Sequence, residues 1–277
     1  MIIRIDSLTF RYPNGTTALD GVSFSVGAGE RVAIVGANGA GKSTLARHLV
    51  GIERPASGTI EIDGRRADGL PIAELARTVG FVFQNPDDQL HAASVVKEVG
   101  FGPRNLGFPP ARRAELVESA LRRTGLTQWR DTHPHHLSLG ERKRVALASV
   151  LAMDTRVVVL DEPTTGQDHA SVVLLGNLVD DLAADGRTVL AITHDMDFCV
   201  EHFDRVLVLD HGRIAWDGPI TGWLAHVAAS DDQALELPQL ARLGSRLGWE
   251  GPVTTVTDFL ERLTPESGPA PVTSIVP

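Results

Sequence analysis

Apolar and polar positions alternate in the first part of the chain and are grouped in runs further along. Up to about residue 30, apolar residues recur at every second position, as in Leu8, Phe10 and Tyr12. This alternation is typical of strands with one buried face, and it predicts an N-terminal antiparallel β part. Further along, short continuous apolar runs end at Val35, Val82, Leu160 and Ile192. Because strands buried on both faces of a parallel sheet have this pattern, the sequence predicts an α/β fold.

A helical pattern interrupts the predicted sheet between about residues 90 and 152. Four apolar residues there share one helix face: Leu116, Val117, Ala120 and Leu121. Gly125 is placed to end that helix, and a second helical run covers Glu141 to Met153. We therefore predict that a main domain, residues 1–220, contains a helical insertion.

The pattern changes again after about residue 220. Residues 221–264 contain two amphipathic segments, Leu235–Leu247 and Val256–Leu263, so we predict a small helical C-terminal appendage. Residues 265–277 are rich in Pro and Ser, and we predict that this tail is disordered. The chain contains no internal repeat, so each motif described below occurs once.

The segment Gly36–Ser43 reads Gly-Ala-Asn-Gly-Ala-Gly-Lys-Ser and fits the phosphate-binding loop pattern Gly-x4-Gly-Lys-Ser. It links an apolar strand, residues 31–35, to a helical pattern over Lys42–Val50, so its backbone N–H groups would face an anion. Lys42 would reach the β- and γ-phosphates of ATP, and the Ser43 hydroxyl would ligate Mg²⁺. The candidate ATP-binding residues here are Gly36, Asn38, Gly39, Gly41, Lys42, Ser43 and Thr44.

The apolar run Val157–Leu160 is followed by two acidic residues, Asp161 and Glu162. Carboxylates at the carboxyl end of a parallel strand lie beside the crevice in which α/β proteins bind nucleotides. We expect Asp161 to hold Mg²⁺, directly or through water, and Glu162 to polarise the attacking water. The alternative is that both acids only solvate a strand end. A phosphate-binding loop in the same chain favours the catalytic interpretation.

Five further segments, taken with these two motifs and in their order along the chain, resemble the nucleotide-binding subunits of ATP-binding cassette (ABC) transporters. The resemblance implies that Tyr12 stacks on adenine, and that Gln84 senses the γ-phosphate, assists catalysis and contributes to the Mg²⁺ site. It also implies that His194 is the switch histidine of hydrolysis and that Asp168 is the aspartate of the D-loop. The implied reaction is ATP hydrolysis with ATP and Mg²⁺ bound.

The fifth segment, Leu137–Glu141, resembles the family signature Leu-Ser-Gly-Gly-Gln, which grips the γ-phosphate bound to a partner cassette. Ser138 and Gly140 agree with the signature, whereas Leu139 replaces a glycine and Glu141 a glutamine. We expect the added charge of Glu141 to weaken that contact without abolishing it. One phosphate loop and one signature cannot complete an ATP site alone, so the resemblance implies a second ABC ATPase subunit, identical or related.

The segments Phe81–Leu90 and Val99–Gly107 resemble, more narrowly, the ATPases of energy-coupling factor (ECF) importers, which take up B-type vitamins or cobalt and nickel ions. This resemblance implies an integral membrane transporter subunit docked near Gln84 and a separate membrane protein that binds the substrate. It also implies that the C-terminal appendage serves dimerisation. Asp87 and Asp88 are expected to act in membrane coupling rather than in hydrolysis. Another ABC importer or an exporter is the alternative within transport.

Charge and composition disfavour other functions. The chain has 277 residues and a net charge of −9, whereas nucleic-acid-binding surfaces are basic, so we expect no nucleic-acid partner.

The basic run Arg142-Lys143-Arg144 is a local exception to this acidic charge. We expect it to lie on a solvated helix face or to form salt bridges. A soluble ABC ATPase acting on nucleic acid or the ribosome is the alternative from another class. A GTPase is disfavoured because no Asn-Lys-x-Asp motif occurs.

The apolar runs are much shorter than the roughly 20 residues that span a bilayer, and no secretory signal pattern begins the sequence. The single cysteine, Cys199, suits a reducing compartment. Any contact with the membrane must then come from a partner. We therefore expect a peripheral subunit on the cytoplasmic face of the cell membrane.

Overall fold

The protein folds into two β-sheets with helices packed on them. The computed structural model describes residues 1–228, 238–249 and 251–263. The strands are β1 (Ile3–Arg11), β2 (Thr17–Val26), β3 (Arg31–Val35), β4 (Ser57–Ile62), β5 (Arg65–Arg66), β6 (Val79–Val82), β7 (Val157–Asp161), β8 (Thr188–Ile192), β9 (Arg205–Asp210) and β10 (Arg213–Pro219). The helices are α1 (Lys42–Leu49), α2 (Ile72–Leu75), α3 (Val95–Val99), α4 (Phe101–Asn105), α5 (Pro110–Arg123), α6 (Leu139–Leu151), α7 (His169–Ala184), α8 (Met196–His202), α9 (Ile220–Ala228), α10 (Gln239–Arg246) and α11 (Val256–Leu263). Short 3₁₀ helices lie at Pro86–Asp88, Thr127–Trp129 and Pro134–His136.

The first sheet is antiparallel and has the strand order β2-β1-β4-β5. Its strand β1 pairs with β2 on one side and with β4 on the other. Along β1, Ile3 and Ile5 are buried, whereas Arg4 and Asp6 are exposed. The antiparallel β part predicted from the alternating pattern is therefore confirmed.

The second sheet has the strand order β10-β9-β3-β8-β7-β6. Strands β6, β7, β8, β3 and β9 run parallel, and β10 pairs antiparallel with β9. Every residue of β7 and β8 is buried, which agrees with their continuous apolar runs. The predicted α/β fold is confirmed, and the carboxyl ends of β3, β7 and β8 meet at one edge of this sheet.

Residues on the two faces of the second sheet belong to separate apolar clusters. Val32 and Ile34 of β3 pack with the first sheet and with Leu45 of α1, whereas Ala33 and Val35 pack with α6 and α7. Helix α1 contacts β2 as well as β7 and β8, so it lies between the two sheets. This packing determines where the N-terminus of α1 points.

Helices α3 to α6 lie between β6 and β7, within the region predicted as a helical insertion. The apolar face predicted on α5 is buried and comprises Leu116, Val117, Ala120 and Leu121. Gly125 follows α5 with a φ of 64°. Its N–H bonds to the Arg122 carbonyl at 3.1 Å, and the N–H of Leu126 bonds to the Leu121 carbonyl at 2.8 Å. These two bonds form a Schellman motif, which is why the helix ends here.

Helix α6 begins earlier than the sequence predicts. The predicted helix covers Glu141 to Met153, whereas α6 covers Leu139–Leu151. Ser138 caps it: the hydroxyl of Ser138 accepts a bond from the Glu141 N–H at 3.3 Å, and the Glu141 carboxylate accepts one from the Ser138 N–H at 2.8 Å. This reciprocal capping box sets the start of the helix, which apolar periodicity alone does not locate.

Helix α9 begins where the sequence predicts the C-terminal appendage, yet it packs on the main core. Its residues Ile220, Trp223 and Leu224 are buried in the cluster that also contains α6 and α7. We therefore place the start of the proposed appendage after α9, because removal of this helix would expose the core.

Of the two later helices, one departs from its predicted bounds and the other matches them. Helix α10 starts at Gln239, because Pro238 has an extended backbone and a proline ring cannot join the helix interior. Helix α11 covers the predicted range Val256–Leu263. Part of the predicted segment Leu235–Leu247 and the predicted disordered tail, residues 265–277, lie outside the described residues.

Candidate nucleotide-binding site

Three glycines shape the loop that joins β3 to α1. Gly36, Gly39 and Gly41 have φ angles of 149°, 83° and 105°, which residues with a side chain rarely adopt. A Cβ atom on Gly36 would lie 2.2 Å from the Leu209 carbonyl oxygen. One on Gly41 would lie 2.3 Å from the Ala18 carbonyl oxygen. Both the backbone conformation and the available space therefore require glycine at these two positions.

Lys42 is the first residue of α1, and its side chain is buried against the loop. Its Nζ donates hydrogen bonds to the carbonyl oxygens of Gly36 at 2.7 Å and Ala37 at 3.0 Å. Burial lowers the pKa of Lys42, and the charges of Glu162 and Asp161 oppose this change. The loop therefore encloses an ammonium group whose present partners are neutral carbonyls.

An open cleft of about 340 Å³ lies over this loop. Its lining residues are Tyr12, Thr16, Thr17, Ala18, Asn38, Gly39, Gly41, Lys42, Ser43, Thr44, Gln84 and Glu162. Of these, residues 16–18 are not predicted from the sequence. They follow a Pro-Asn-Gly turn between β1 and β2, which is a hairpin signal, but the sequence does not show that this hairpin reaches the phosphate-binding loop. Elements of both sheets therefore contribute lining residues to the cleft.

Tyr12 lies at the edge of this cleft, directly after β1. Its hydroxyl is 2.9 Å from the Thr44 Oγ1 of helix α1. Its ring packs edge-on against Phe10, with 5.0 Å between the ring centroids. These contacts hold the half-buried ring beside the cleft, where the sequence analysis expects an adenine-stacking residue.

Asp161 ends β7 and faces the start of α1. The Ser43 hydroxyl lies 3.5 Å from Asp161 Oδ1, so the two predicted Mg²⁺ ligands are neighbours. Burial raises the pKa of Asp161 to about 6, and the charge of Glu162 contributes to the increase. The ionised carboxylate is therefore unfavourable in this environment, and a nearby cation would stabilise it.

Glu162 follows with a φ of 48°, in the left-handed region. Its N–H donates to the Ile192 carbonyl at 2.8 Å, and its Oε2 lies 2.8 Å from His194 Nδ1. A non-glycine residue in this conformation costs about 1–2 kcal/mol, so the surrounding contacts must hold it. The structure thereby brings together two predicted catalytic residues from the ends of β7 and β8.

The signature residues Ser138, Gly140 and Glu141 lie at the N-terminus of α6 and do not line the cleft of their own chain. The Glu141 carboxylate accepts a bond from the Ser138 hydroxyl at 2.7 Å as well as from its N–H. These bonds lower the pKa of Glu141. The extra negative charge is thus held in the helix cap, where the helix dipole compensates part of it.

Asp168 also caps a helix near the signature. Asp168 is the N-cap of α7, and its side chain accepts a bond from the Ser171 N–H at 2.8 Å. A Cβ atom on Gly140 would lie 3.9 Å from the Ser171 hydroxyl, so the N-termini of α6 and α7 are close together. The predicted D-loop and signature residues therefore share one region, separate from the cleft over the phosphate-binding loop.

The basic run after the signature is not a simple solvated face. Lys143 is buried, and its Nζ donates to the carbonyl oxygens of Glu162 at 3.2 Å and Thr165 at 2.5 Å. Arg142 forms an ion pair with Asp87. The expected solvated face is therefore wrong for Lys143, because the turn after β7 folds over this part of α6.

Comparisons with known proteins identify the family of this chain. Residues 19–165 match the ABC transporter family. The energy-coupling factor transporter ATP-binding protein EcfA of Methanocaldococcus jannaschii is 42% identical over 244 residues, which are 87% of this chain and 88% of that protein. A putative ABC transporter ATP-binding protein of Methanosarcina acetivorans is 41% identical over 271 residues, covering 95% of this chain. The chain spans only 44% of the length of that second relative.

Comparison with solved structures identifies the same family. The protein cbiO1 of Clostridium perfringens, described as part of the ABC transporter complex cbiONQ, superposes with a TM-score of 0.75 and 36% identity over 89% of this chain and 98% of its own. An ATP-binding cassette solved as a post-hydrolysis dimer with ADP and Pi has a TM-score of 0.73 and 25% identity, over 79% and 99% of the two chains. None of the helices in the described ranges combines the length and apolar character needed to cross a bilayer. The chain belongs to the ABC transporter family, as an ATP-hydrolysing cassette that resembles the ATPases of ECF transporters.

Proposed function

We propose that this cassette hydrolyses ATP to energise an ECF-type importer of a micronutrient, a B-type vitamin or a cobalt or nickel ion. The contact of Glu162 Oε2 with His194 Nδ1 at 2.8 Å, beside the phosphate-binding loop, carries the hydrolytic part of this proposal. The relatives named EcfA and the structure of cbiO1 support the ECF-type part. Another ABC importer or an exporter is the second candidate.

In this proposal the triphosphate of ATP binds the N–H groups of residues 36–43 and the N-terminus of α1. The Lys42 ammonium exchanges its bonds to the Gly36 and Ala37 carbonyls for the β- and γ-phosphates, which are charged and therefore stronger acceptors. The face of Tyr12 packs on adenine. Asn38, Gly39, Gly41 and Thr44 complete the cleft.

The residues present also fit Mg²⁺. The Ser43 hydroxyl and the Asp161 carboxylate offer the oxygen donors that this ion prefers, and a cation would favour the ionised form of buried Asp161. In the described part of the chain no three His, Cys, Asp or Glu side chains are grouped to hold a metal. The remaining ligands would come from ATP, water and Gln84. When bound, Mg²⁺ neutralises charge that develops on the phosphates.

Hydrolysis would depend on the position of Glu162. Glu162 lines the cleft, while His194 contacts its side chain and the Ile192 carbonyl accepts a bond from its N–H. From there Glu162 would orient and polarise a water molecule in line with the γ-phosphate, and His194 would contact that phosphate. Phosphoryl transfer relies on such positioning and on charge neutralisation more than on covalent chemistry.

A second cassette would complete each ATP site. Ser138 and Gly140 lie at the N-terminus of α6, outside the chain's own cleft. The helix N-terminus would present its N–H groups to the γ-phosphate bound by the partner. Cassettes of this family dimerise, as the ADP-bound relative shows. Two ATP molecules would close the dimer, and hydrolysis would reopen it.

An open apolar groove supports a membrane partner. It has a volume of about 250 Å³ and lies between α2, β6 and the helices of the insertion. Ile52, Ile72 and Phe101 line it and are 43%, 55% and 52% exposed. Gln89, five residues after Gln84, also lines the groove. A short amphipathic helix of an integral membrane subunit would bury these side chains, place the cassette at the cytoplasmic face of the membrane and contact the segment after Gln84.

Affinity purification from native membranes tests this proposal. We expect an integral membrane subunit and a second, substrate-binding membrane protein to co-purify, with the micronutrient identified by mass spectrometry. Phe101→Asp should abolish recovery of the membrane subunit while ATP binding is retained. Trp129→Asp, at an apolar residue outside the groove, is the matched control. Co-purification with ribosomal proteins or nucleic acid would instead identify a soluble ABC ATPase, and an exported substrate would identify an exporter.

A further inference from the structure

Lys143 is a buried cation that the phosphate chemistry proposed above does not use. It lies in the second turn of α6, is 8% exposed, and donates to the Glu162 and Thr165 carbonyl oxygens at 3.2 and 2.5 Å. Burial lowers the pKa of Lys143, and the charges of Glu162 and Asp161 oppose this change. Its ammonium thus bridges the start and the middle of the turn, residues 162–168, that connects the end of β7 to Asp168.

The choice of residue at this position is unusual for the chain. Of 26 Lys and Arg residues only three are lysines, at positions 42, 97 and 143. Lys42 and Lys143 are both buried and both donate to backbone carbonyls, whereas Lys97 is exposed on α3. An ammonium is a compact point donor, whereas guanidinium is a planar fork. Two of the three lysines are therefore at positions where a small enclosed cation satisfies carbonyl groups.

The bonds of Lys143 act on a strained position. The left-handed backbone of Glu162 is held through its N–H by Ile192 and through its carboxylate by His194. Lys143 supplies the bond to its carbonyl oxygen. Further along the turn, Gln167 Nε2 donates to the Pro163 carbonyl at 2.8 Å. Removal of Lys143 would leave two carbonyls of this turn without their donor, so the orientation of Glu162 would become less defined.

We infer that Lys143 is a positioning residue that connects the signature helix to the hydrolytic glutamate of the same chain. Lys143 itself lies on α6, and the N-terminus of this helix, with Ser138, would bind the ATP of the partner cassette. Binding of that ATP would restrict the motion of α6. Through the bonds of Lys143, it would also restrict the motion of Glu162 and of the turn leading to Asp168. Occupancy of one ATP site would thereby favour hydrolysis at the other. This inference rests on the proposed cassette dimer.

The test compares wild type, Lys143→Met and Lys143→Arg in the full-length chain within its membrane complex. Methionine fills the same space without a donor, and arginine retains charge and donors. Lys97→Met, the same substitution at an exposed lysine, is the matched control. We expect Lys143→Met to lower kcat by about tenfold or more and to leave the KM for ATP within about threefold of wild type. The reason is that the orientation of Glu162 is lost while ATP binding is retained. Its Hill coefficient for ATP should fall toward 1, and Lys143→Arg should recover part of the turnover.

Hydrogen–deuterium exchange gives a second readout that needs no turnover. In nucleotide-free protein, Lys143→Met should accelerate exchange in peptides covering residues 162–168, which include the Gln167 N–H bonded to the Thr164 carbonyl. Peptides from the antiparallel sheet should not change. If Lys143→Met does not fold, Lys143→Leu, which is also apolar and also lacks a donor, is measured by the same criteria.

Two results would overturn the inference. One is kinetics and exchange for Lys143→Met that equal those of Lys97→Met. The other is a parallel loss of ATP affinity and kcat with faster exchange throughout the chain, which would assign Lys143 to packing alone. Failure of the proposed function looks different: normal hydrolysis by Glu162→Gln would remove the role of Glu162, whatever exchange at residues 162–168 shows.

Discussion

Asp87 and Arg142 form an ion pair that joins the segment after β6 to the signature helix. Asp87 Oδ1 lies 3.1 Å from Arg142 Nε, and the two side chains are 42% and 22% exposed. Asp87 follows Gln84 by three residues, and Arg142 follows Ser138 by four. The proposed membrane contact and the proposed grip on the partner's ATP are therefore linked by one direct contact.

Charge reversal at this pair should affect hydrolysis as well as docking. The sequence predicts that Asp87→Arg spares basal ATPase activity, but the pair with Arg142 means that it also disturbs α6. We expect Asp87→Arg to lower both membrane-complex recovery and ATP turnover, and the swap Asp87→Arg with Arg142→Asp to recover part of both. The coupling should amount to about 0.2–1 kcal/mol, as for partly exposed pairs. Asp88→Arg is the control for hydrolysis, since within the part of the chain that the structure describes the Asp88 side chain bonds to Asn85 of its own turn and not to α6. A swap no better than the single variant would show that the pair is not the link.

Substitution of Glu162 tests the hydrolytic role. Glu162→Gln keeps the size of the side chain but removes the charge that would polarise water. We expect ATP binding to persist and turnover to fall by about 10²-fold or more, within the range of general-base catalysis. The variant should accumulate as an ATP-bound closed dimer in sedimentation experiments. Glu61→Gln, at an exposed residue of β4, controls for the substitution itself. Near-normal hydrolysis would assign the role to another group.

Substitution of Tyr12 separates the ring from its hydroxyl. Tyr12→Ala should weaken ATP binding by about 1 kcal/mol, because an aromatic face contributes that order beyond burial. Tyr12→Phe loses only the bond to Thr44, and Tyr12→Trp keeps an aromatic face, so we expect both to bind ATP nearly as wild type. Equilibrium titration with nucleotide measures the three affinities. If all three equal that of wild type, the ring packs in the fold and does not contact adenine.

The pKa of Asp161 predicts a pH-dependent cost in the nucleotide-free fold. Because that pKa is raised from 3.8 to about 6, the folded state disfavours the ionised form, and the cost is present above pH 6 and disappears as the pH falls toward 4. Asp161→Asn should therefore stabilise the protein by roughly 1–3 kcal/mol at pH 7.5 without Mg²⁺, with little effect near pH 4.

Urea denaturation at the two pH values measures this difference. Asp210→Asn, at an exposed strand end, is the control and should show no such gain. Hydrolysis by Asp161→Asn should be lost, because a ligand to Mg²⁺ is removed. Equal stability of variant and wild type at pH 7.5 would contradict the unfavourable burial of the Asp161 charge.

Truncation tests the C-terminal appendage. A cut after residue 218 would remove Trp223 from the main core, so the informative cut comes after residue 228. This shorter protein should bind ATP normally, but its nucleotide-free dimer should weaken in sedimentation equilibrium. The reason is the loss of the exposed side chains Leu243 and Leu247, which are 42% and 49% exposed in the single chain. An unchanged dimer fraction would mean that the appendage packs on its own cassette.

Much of this fold follows from local signals in the sequence. Alternation in β1, continuous apolar runs in β7 and β8, and Gly125 after α5 predict elements that the structure contains, because each reflects burial or backbone conformation within a few residues. The backbone of the phosphate-binding loop is equally local, since Gly36 and Gly41 have positive φ angles that favour glycine. Sequence alone thus determined the fold class and the candidate ATP-binding residues.

Only the tertiary structure decided how these segments act on one another. Lys143 reads as a surface residue in a basic run, yet the turn after β7 covers it and gives it two carbonyl partners. Glu141 reads as an added charge at the signature, yet it bonds to Ser138 in a helix cap. The contacts of Lys143 have no periodic or motif signal, since packing around α6 determines them, whereas Ser138 and Glu141 have the Ser-x-x-Glu spacing of a capping box. The sequence therefore predicted which groups do the chemistry, and the packing of α6 determined how they are connected.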